Sequence, residues 1–123
     1  MAVLLGAEAG DDETDLTYTL DKILNLRVFD DPSGRLNLSL LDVGAELLIV
    51  SQFTLLGDCR KGRRPSFVRA MRPEQAEPML DDFVGRARAR GVTVATGVFG
   101  ANMRVSLEGD GPVTLLIDSK KGF

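Results

Sequence analysis

A chain of 123 residues, 44% hydrophobic and 27% charged, is sized for a single domain with one core, and its composition excludes disorder. No apolar run approaches the roughly 20 residues that span a bilayer, and Met1 to Leu5 lacks the positive flank and the length of a signal peptide. Zero histidines and one cysteine, Cys59, exclude a Ser-His-Asp triad, a Cys-His dyad, an internal disulfide framework and a Cys/His zinc site.

These exclusions set the expectations. A cytoplasmic, reducing setting is expected, with no membrane, no cofactor and no metal. Any catalysis must come from hydroxyls, backbone groups, carboxylates, Lys/Arg or the substrate itself. The net charge is −3, yet it is unevenly spread. Glu8, Asp11, Asp12, Glu13, Asp15 and Asp21 make the first part acidic. From Arg60 to Arg72 the charged residues are all cations: Arg60, Lys61, Arg63, Arg64, Arg69 and Arg72. A basic segment on an acidic chain fits a local contact with a polyanion, and equally a solvated loop whose arginines pair with nearby acids.

In chain order, Val3 to Leu5 reads as a short buried strand ending at Gly6. Asp11 or Asp12 caps a helix from Glu13 to Asn25, whose Leu16, Leu20, Ile23 and Leu24 share one face. Arg27 to Phe29 is extended, and Asp30 to Gly34 turns. Leu47 to Val50 is a central strand covered on both faces, ending in Ser51-Gln52-Phe53-Thr54. Pro73 starts a second helix that buries Ala76, Met79, Leu80, Phe83, Val84 and Ala87. Pro78 shifts its start or bends it, and Gly91 ends it. Val92 to Thr96, Met103 to Leu107 and Val113 to Asp118 are expected strands. The order implies an α/β fold: one domain over residues 1–123, two main helices packed on a mixed sheet.

Three places could carry chemistry. Ser51, Gln52 and Thr54 put hydrogen-bonding side chains where a buried strand opens, a favoured place for ligands. The same residues could simply bond nearby backbone. Lys61-Gly62-Arg63-Arg64-Pro65-Ser66-Phe67 combines cations with an aromatic, which suits RNA or a solvated loop. Asp110-Gly111-Pro112 is a turn, trans or, less commonly, cis. Cys59, beside Arg60 and Lys61 but with no partner base, reads as incidental.

Taken together, four segments resemble the D-aminoacyl-tRNA deacylase family. They are Ser51 to Leu55, Lys61 to Phe67, Thr96-Gly97-Val98-Phe99-Gly100-Ala101-Asn102-Met103, and Asp110-Gly111-Pro112-Val113-Thr114. The likeness extends to Asn25 to Phe29 and Leu38 to Gly44, and so covers nearly the whole chain. The resemblance implies a hydrolase that frees D-amino acids from the 3′-terminal adenosine of tRNA. It implies a homodimer with sites at the subunit interface, each lined by Ser51, Gln52, Phe53 and Thr54. It implies that Gly111 and Pro112, as a cis pair, reach into the partner's site as a chirality filter. With the tRNA as partner, Arg60, Lys61, Arg63 and Arg64 become expected contacts to its phosphates. The chain departs from the family pattern at the front, where a β-hairpin and an Arg supporting the Gly-Pro carbonyls have no counterpart. The expectation is a late-placed start or a truncation. Gly109 also stands where the family more often has Asn.

Overall fold

The computed structural model describes residues 1–123. Strand β1 (Ala2–Leu5), helix α1 (Glu13–Asn25), strands β2 (Phe29–Asp30) and β3 (Leu36–Leu38), helix α2 (Leu40–Val43) and strand β4 (Leu47–Ser51) come first. A 3-10 turn (Phe53–Leu56), helix α3 (Pro73–Ala89) and strand β5 (Val94–Thr96) complete the order. The main sheet runs β1-β4-β5, all parallel, and β2 and β3 form a separate antiparallel pair.

Local chemistry explains the helices. Asp12 caps α1: its carboxylate accepts from the Thr14 N–H at 2.8 Å, and Asp15 accepts from the Asp12 N–H at 3.0 Å. This reciprocal pair satisfies donors that the first helical turn leaves free. Pro73 occupies the first turn of α3, and Pro78 is carried inside the helix without ending it. Gly91 then takes φ 83°, a left-handed conformation that glycine adopts at little cost. Helix α2 was not foreseen. It is built by Ser39, which accepts from the Asp42 N–H at 3.1 Å while Asp42 accepts from the Ser39 N–H at 2.8 Å.

Both helices bury their apolar faces against the sheet. Leu24, Leu40 and Ala87 are fully buried, alongside Leu16, Leu20, Ile23, Leu47, Ile49, Phe83, Val92 and Val94. Each large aliphatic side chain removed from water in this way contributes about 1.5–3 kcal/mol. Strand β4 lies between β1 and β5, so its Leu47, Ile49 and Val50 are buried, as its continuous apolar run implies. Arg86 ties the helices at the surface, reaching Glu13 and Asp82 at 3.0 Å each. No helix is long and apolar enough to cross a membrane.

Two expected strands are absent. Met103 to Leu107 and Val113 to Asp118 have no ladder, and from Asn102 to Ile117 the backbone makes no hydrogen bond to other backbone. Val105, Leu107, Val113, Leu115 and Leu116 are exposed. β-branched and apolar residues favour a pleated, half-buried surface, but a strand exists only beside a partner edge. The outer edges of β1 and β5 do not take these segments up. The strand expected over Val92 to Thr96 is confined to Val94–Thr96.

Candidate active site

The proposed site residues sit where β4 leaves the sheet. Leu5 pairs with Ser51, and the Gln52 N–H donates to the Leu5 carbonyl at 2.8 Å, so the two parallel strands end together. The chain then tightens into the 3-10 turn. Phe53 and Thr54 are its first residues, so their N–H groups have no acceptor within the turn, and the Gln52 side chain does not cap it. Instead, the Gln52 Nε2 donates to the Thr54 Oγ1. The turn closes through the Gly57 N–H, which donates to the Thr54 carbonyl at 3.0 Å.

Packing around this turn is close. Gly6, just past β1, faces the Gln52 carbonyl: a Cβ there would lie 2.8 Å from that oxygen and 2.8 Å from the Leu56 Cδ2. The oxygen is backbone and cannot rotate aside, so the two strand ends would have to part. We expect Gly6→Ala to lower kcat about tenfold with the chain still folded, since small displacements of positioned groups are costly to rate. Single-turnover kinetics beside a circular dichroism melt check this. Wild-type kcat would mean that the turn absorbs the methyl.

The basic loop adjoins the same turn. Asp58 and Ser66 exchange two backbone hydrogen bonds, at 2.8 and 2.9 Å, and close the loop at its neck. Beyond the neck, Phe67 meets the exposed Phe53 edge-to-face, ring centres 5.2 Å apart. The loop cations differ in their freedom. Arg60 is gripped by Asp58 through Nε at 2.8 Å and an outer nitrogen at 2.6 Å. The Arg60 guanidinium and backbone N–H hold the Asp58 carboxyl far below the usual carboxylate range. Lys61, Arg63 and Arg64 have no acidic partner. An open groove at the loop is lined by Asp58, Arg60, Lys61, Arg64 and Ser66, none of them apolar.

Gly111 and Pro112 lie in the exposed segment, joined by a cis peptide bond, with Gly111 at φ 122°. No hydrogen bond links this pair to Ser51, Gln52, Phe53 or Thr54 of the same chain. Thus one subunit unites the strand end and the basic loop, while no hydrogen bond ties the Gly-Pro segment to them. Groups of three or more His, Cys, Asp or Glu suited to a metal do not occur.

The profile of the D-Tyr-tRNA(Tyr) deacylase family matches residues 1–118. The D-aminoacyl-tRNA deacylase of Clostridioides difficile is 57% identical over 123 residues, all of this chain and 83% of that protein. That of Kosmotoga olearia is 58% identical over 123 residues, covering 82% of the relative. This chain belongs to the D-aminoacyl-tRNA deacylase family.

Solved structures place the deacylase fold on the same backbone. A structure titled as a c-Myc DNA unwinding element binding protein is 42% identical, with a TM-score of 0.85 over 93% of this chain and 78% of that one. A probable eukaryotic D-amino acid tRNA deacylase shares the fold at 20% identity, with a TM-score of 0.65 over 82% of this chain and 74% of that one. Two features of the candidate site were not legible in the sequence. One is Gly6 packed on the Gln52 carbonyl, and the other is Asp58 gripping Arg60. Asp58 and Arg60 stand two apart, a spacing too common to signal a pair.

Proposed function

We propose that this chain, as a single deacylase domain, hydrolyses the ester between a D-amino acid, or glycine, and the 3′-terminal adenosine of tRNA, and rejects L-aminoacyl esters. Family membership over the whole chain carries this reading. An aminoacyl ester is already reactive, so water can attack it without a strong base. The Phe53 and Thr54 N–H groups would stabilise the oxyanion, an effect worth about 3–4 kcal/mol per donor in known hydrolases. Ser51 and Gln52 would position the adenosine, and the ribose 2′-OH would assist proton movement.

A covalent mechanism through Thr54 or Ser51 is the rival, and one contact speaks against it. The neighbour of the Thr54 hydroxyl is the Gln52 amide. An amide is no base, so the side chain bonded to Thr54 cannot take its proton. With a lone pair occupied by the Gln52 donor, the hydroxyl keeps its proton to donate towards the scissile carbonyl. The primary test is deacylation of matched D- and L-tyrosyl-tRNA. Release of the D-amino acid alone is expected. Inertness toward both would reduce the chain to an RNA-binding module.

Lys61, Arg63 and Arg64, with Arg60 preset by Asp58, would hold acceptor-end phosphates in the cytoplasm. Arg63 and Arg64 are uncompensated, so replacing both with Ala should weaken tRNA binding. Each lost phosphate contact should flatten the salt dependence by about one unit of log–log slope. Filter binding across a salt series checks this, and an unchanged slope would assign these arginines to solvent. A homodimer follows from the same reading. The exposed Val105, Leu107, Val113, Leu115 and Leu116 would face the second copy, and Gly111 and Pro112 would enter its site as the chirality filter.

A further inference from the structure

The segment from Asn102 to Ile117 makes no hydrogen bonds to the rest of the subunit through its backbone, so its two ends decide where it lies. At the far end, Ile117 packs on the main core, and the Asp118 carboxylate accepts from the Lys120 and Gly122 N–H groups at 3.1 and 2.8 Å. Beyond that turn the Lys120 ammonium reaches back across the molecule. It lies 2.6 Å from the Asp11 carboxylate and 3.1 Å from that of Glu8.

These acids belong to a well-tied part of the subunit. The Glu8 N–H donates to Asp11 at 2.7 Å, and the other Glu8 oxygen takes the Arg69 Nε at 2.6 Å. The backbone on both sides of Glu8 bonds to residues 69 and 71: the Ala9 N–H to the Arg69 carbonyl at 2.8 Å, and the Met71 N–H to the Ala7 carbonyl at 2.9 Å. The Glu8 and Asp11 side chains are 19% and 13% exposed, so water does little to relieve two neighbouring carboxylates once a cation is taken away. Arg69 and Lys120 hold Glu8 below its ordinary carboxylate range, and Asp11 and Glu8 hold Lys120 above its ordinary one. The neighbouring Lys121 is turned away, 6.0 Å from the centre of the Tyr18 ring.

We infer that Lys120 is a positioning residue for hand discrimination: clasped by Glu8 and Asp11, it fixes the base of the segment that carries Gly111 and Pro112 to the body of its subunit. This rests on the reading of Gly111 and Pro112 as the filter. Lys120 touches no substrate in this scheme. It acts only through the segment, whose offset a partner's site would feel at the tip. Lys120 itself is 43% exposed, and Arg69 still pairs with Glu8 once Lys120 is gone, so the effect belongs to the placement of the segment more than to folding.

The test compares the full-length Lys120→Met, Lys120→Arg and Pro112→Gly variants on D-alanyl- and L-alanyl-tRNA. Trypsin cleavage after Arg104, inside the segment, is followed in parallel. Lys120→Met should raise the L-to-D rate ratio several-fold and speed that cleavage, with the melting temperature and the D rate near wild type. Lys120→Arg should restore both. Should Lys120→Met keep the wild-type ratio while Pro112→Gly raises it, the clasp is overturned and the filter stands. Wild-type ratios in both would overturn the filter and the inference with it. An equal fall in D and L rates for Lys120→Met would show a merely structural role and also overturn the inference.

Discussion

Hydrogen in place of the 2′-hydroxyl, in a substrate charged on the 3′-OH, is expected to slow deacylation about 100-fold, the lower range for loss of a positioned proton-transfer group. Thr54→Ala is expected to cost only about tenfold, the worth of one neutral hydrogen bond. The contrast follows from the poverty of the site. The chain has no histidine, and the side chain bonded to Thr54 is an amide. On the proposed mechanism the substrate's own hydroxyl would relay the proton, while backbone donors survive any side-chain change. Single-turnover hydrolysis of the two substrates by wild type and Thr54→Ala measures both quantities. A dead Thr54→Ala enzyme with a normally reacting deoxy substrate would reverse the mechanism in favour of covalent catalysis. A trapped acyl-Thr54 or acyl-Ser51 adduct would do the same.

The second large effect concerns the hand of the amino acid. L-alanyl-tRNA is expected to react about 100-fold more slowly than D-alanyl-tRNA, with glycyl-tRNA hydrolysed to a measurable degree. Ser51, Gln52, Phe53 and Thr54 offer few contacts with which to recognise a varied D side chain. Selectivity must therefore come from refusing the L configuration. On the proposed reading, backbone carbonyls at Gly111 and Pro112 would stand where an L side chain points and refuse it by overlap. Overlap with a methyl costs about 3 kcal/mol at the upper end of overpacking, which is about 100-fold in rate. Glycine has nothing to overlap. Rates on D-Tyr, D-Asp, L-Ala and Gly esters of their tRNAs decide the matter. Efficient cleavage of the L-Ala ester, or complete inertness toward glycine, would remove exclusion by backbone as the basis of selection.

Elements whose causes are local were legible in the residues alone. Helix α1 runs from Glu13 to Asn25 as its periodicity implies, because its cap and its buried Leu16, Leu20, Ile23 and Leu24 lie within a few turns of one another. Helix α3 follows for the same reason, and Leu47 to Val50 is apolar enough to read as a covered strand before its partners are known. The family was legible as well, since Ser51 to Leu55, Lys61 to Phe67 and Asp110 to Thr114 are chemical strings that need no fold to be read.

Tertiary structure decided whatever depends on a distant partner. Val105 and Leu115 sit in stretches with strand-like composition, yet a ladder is a contract between two segments, and no edge of the sheet takes these up. The cations from Arg60 to Arg69 look alike in sequence. Three-dimensional packing engages Arg60 with Asp58 and Arg69 with Glu8, and leaves Arg63 and Arg64 without an acidic partner. Lys120 gains its meaning only because the chain returns its last residues to Glu8 and Asp11, at the far end of the sequence. Periodicity and capping report on neighbours a few residues apart, whereas pairing and charge compensation are settled by which remote surfaces the fold brings within a few ångströms.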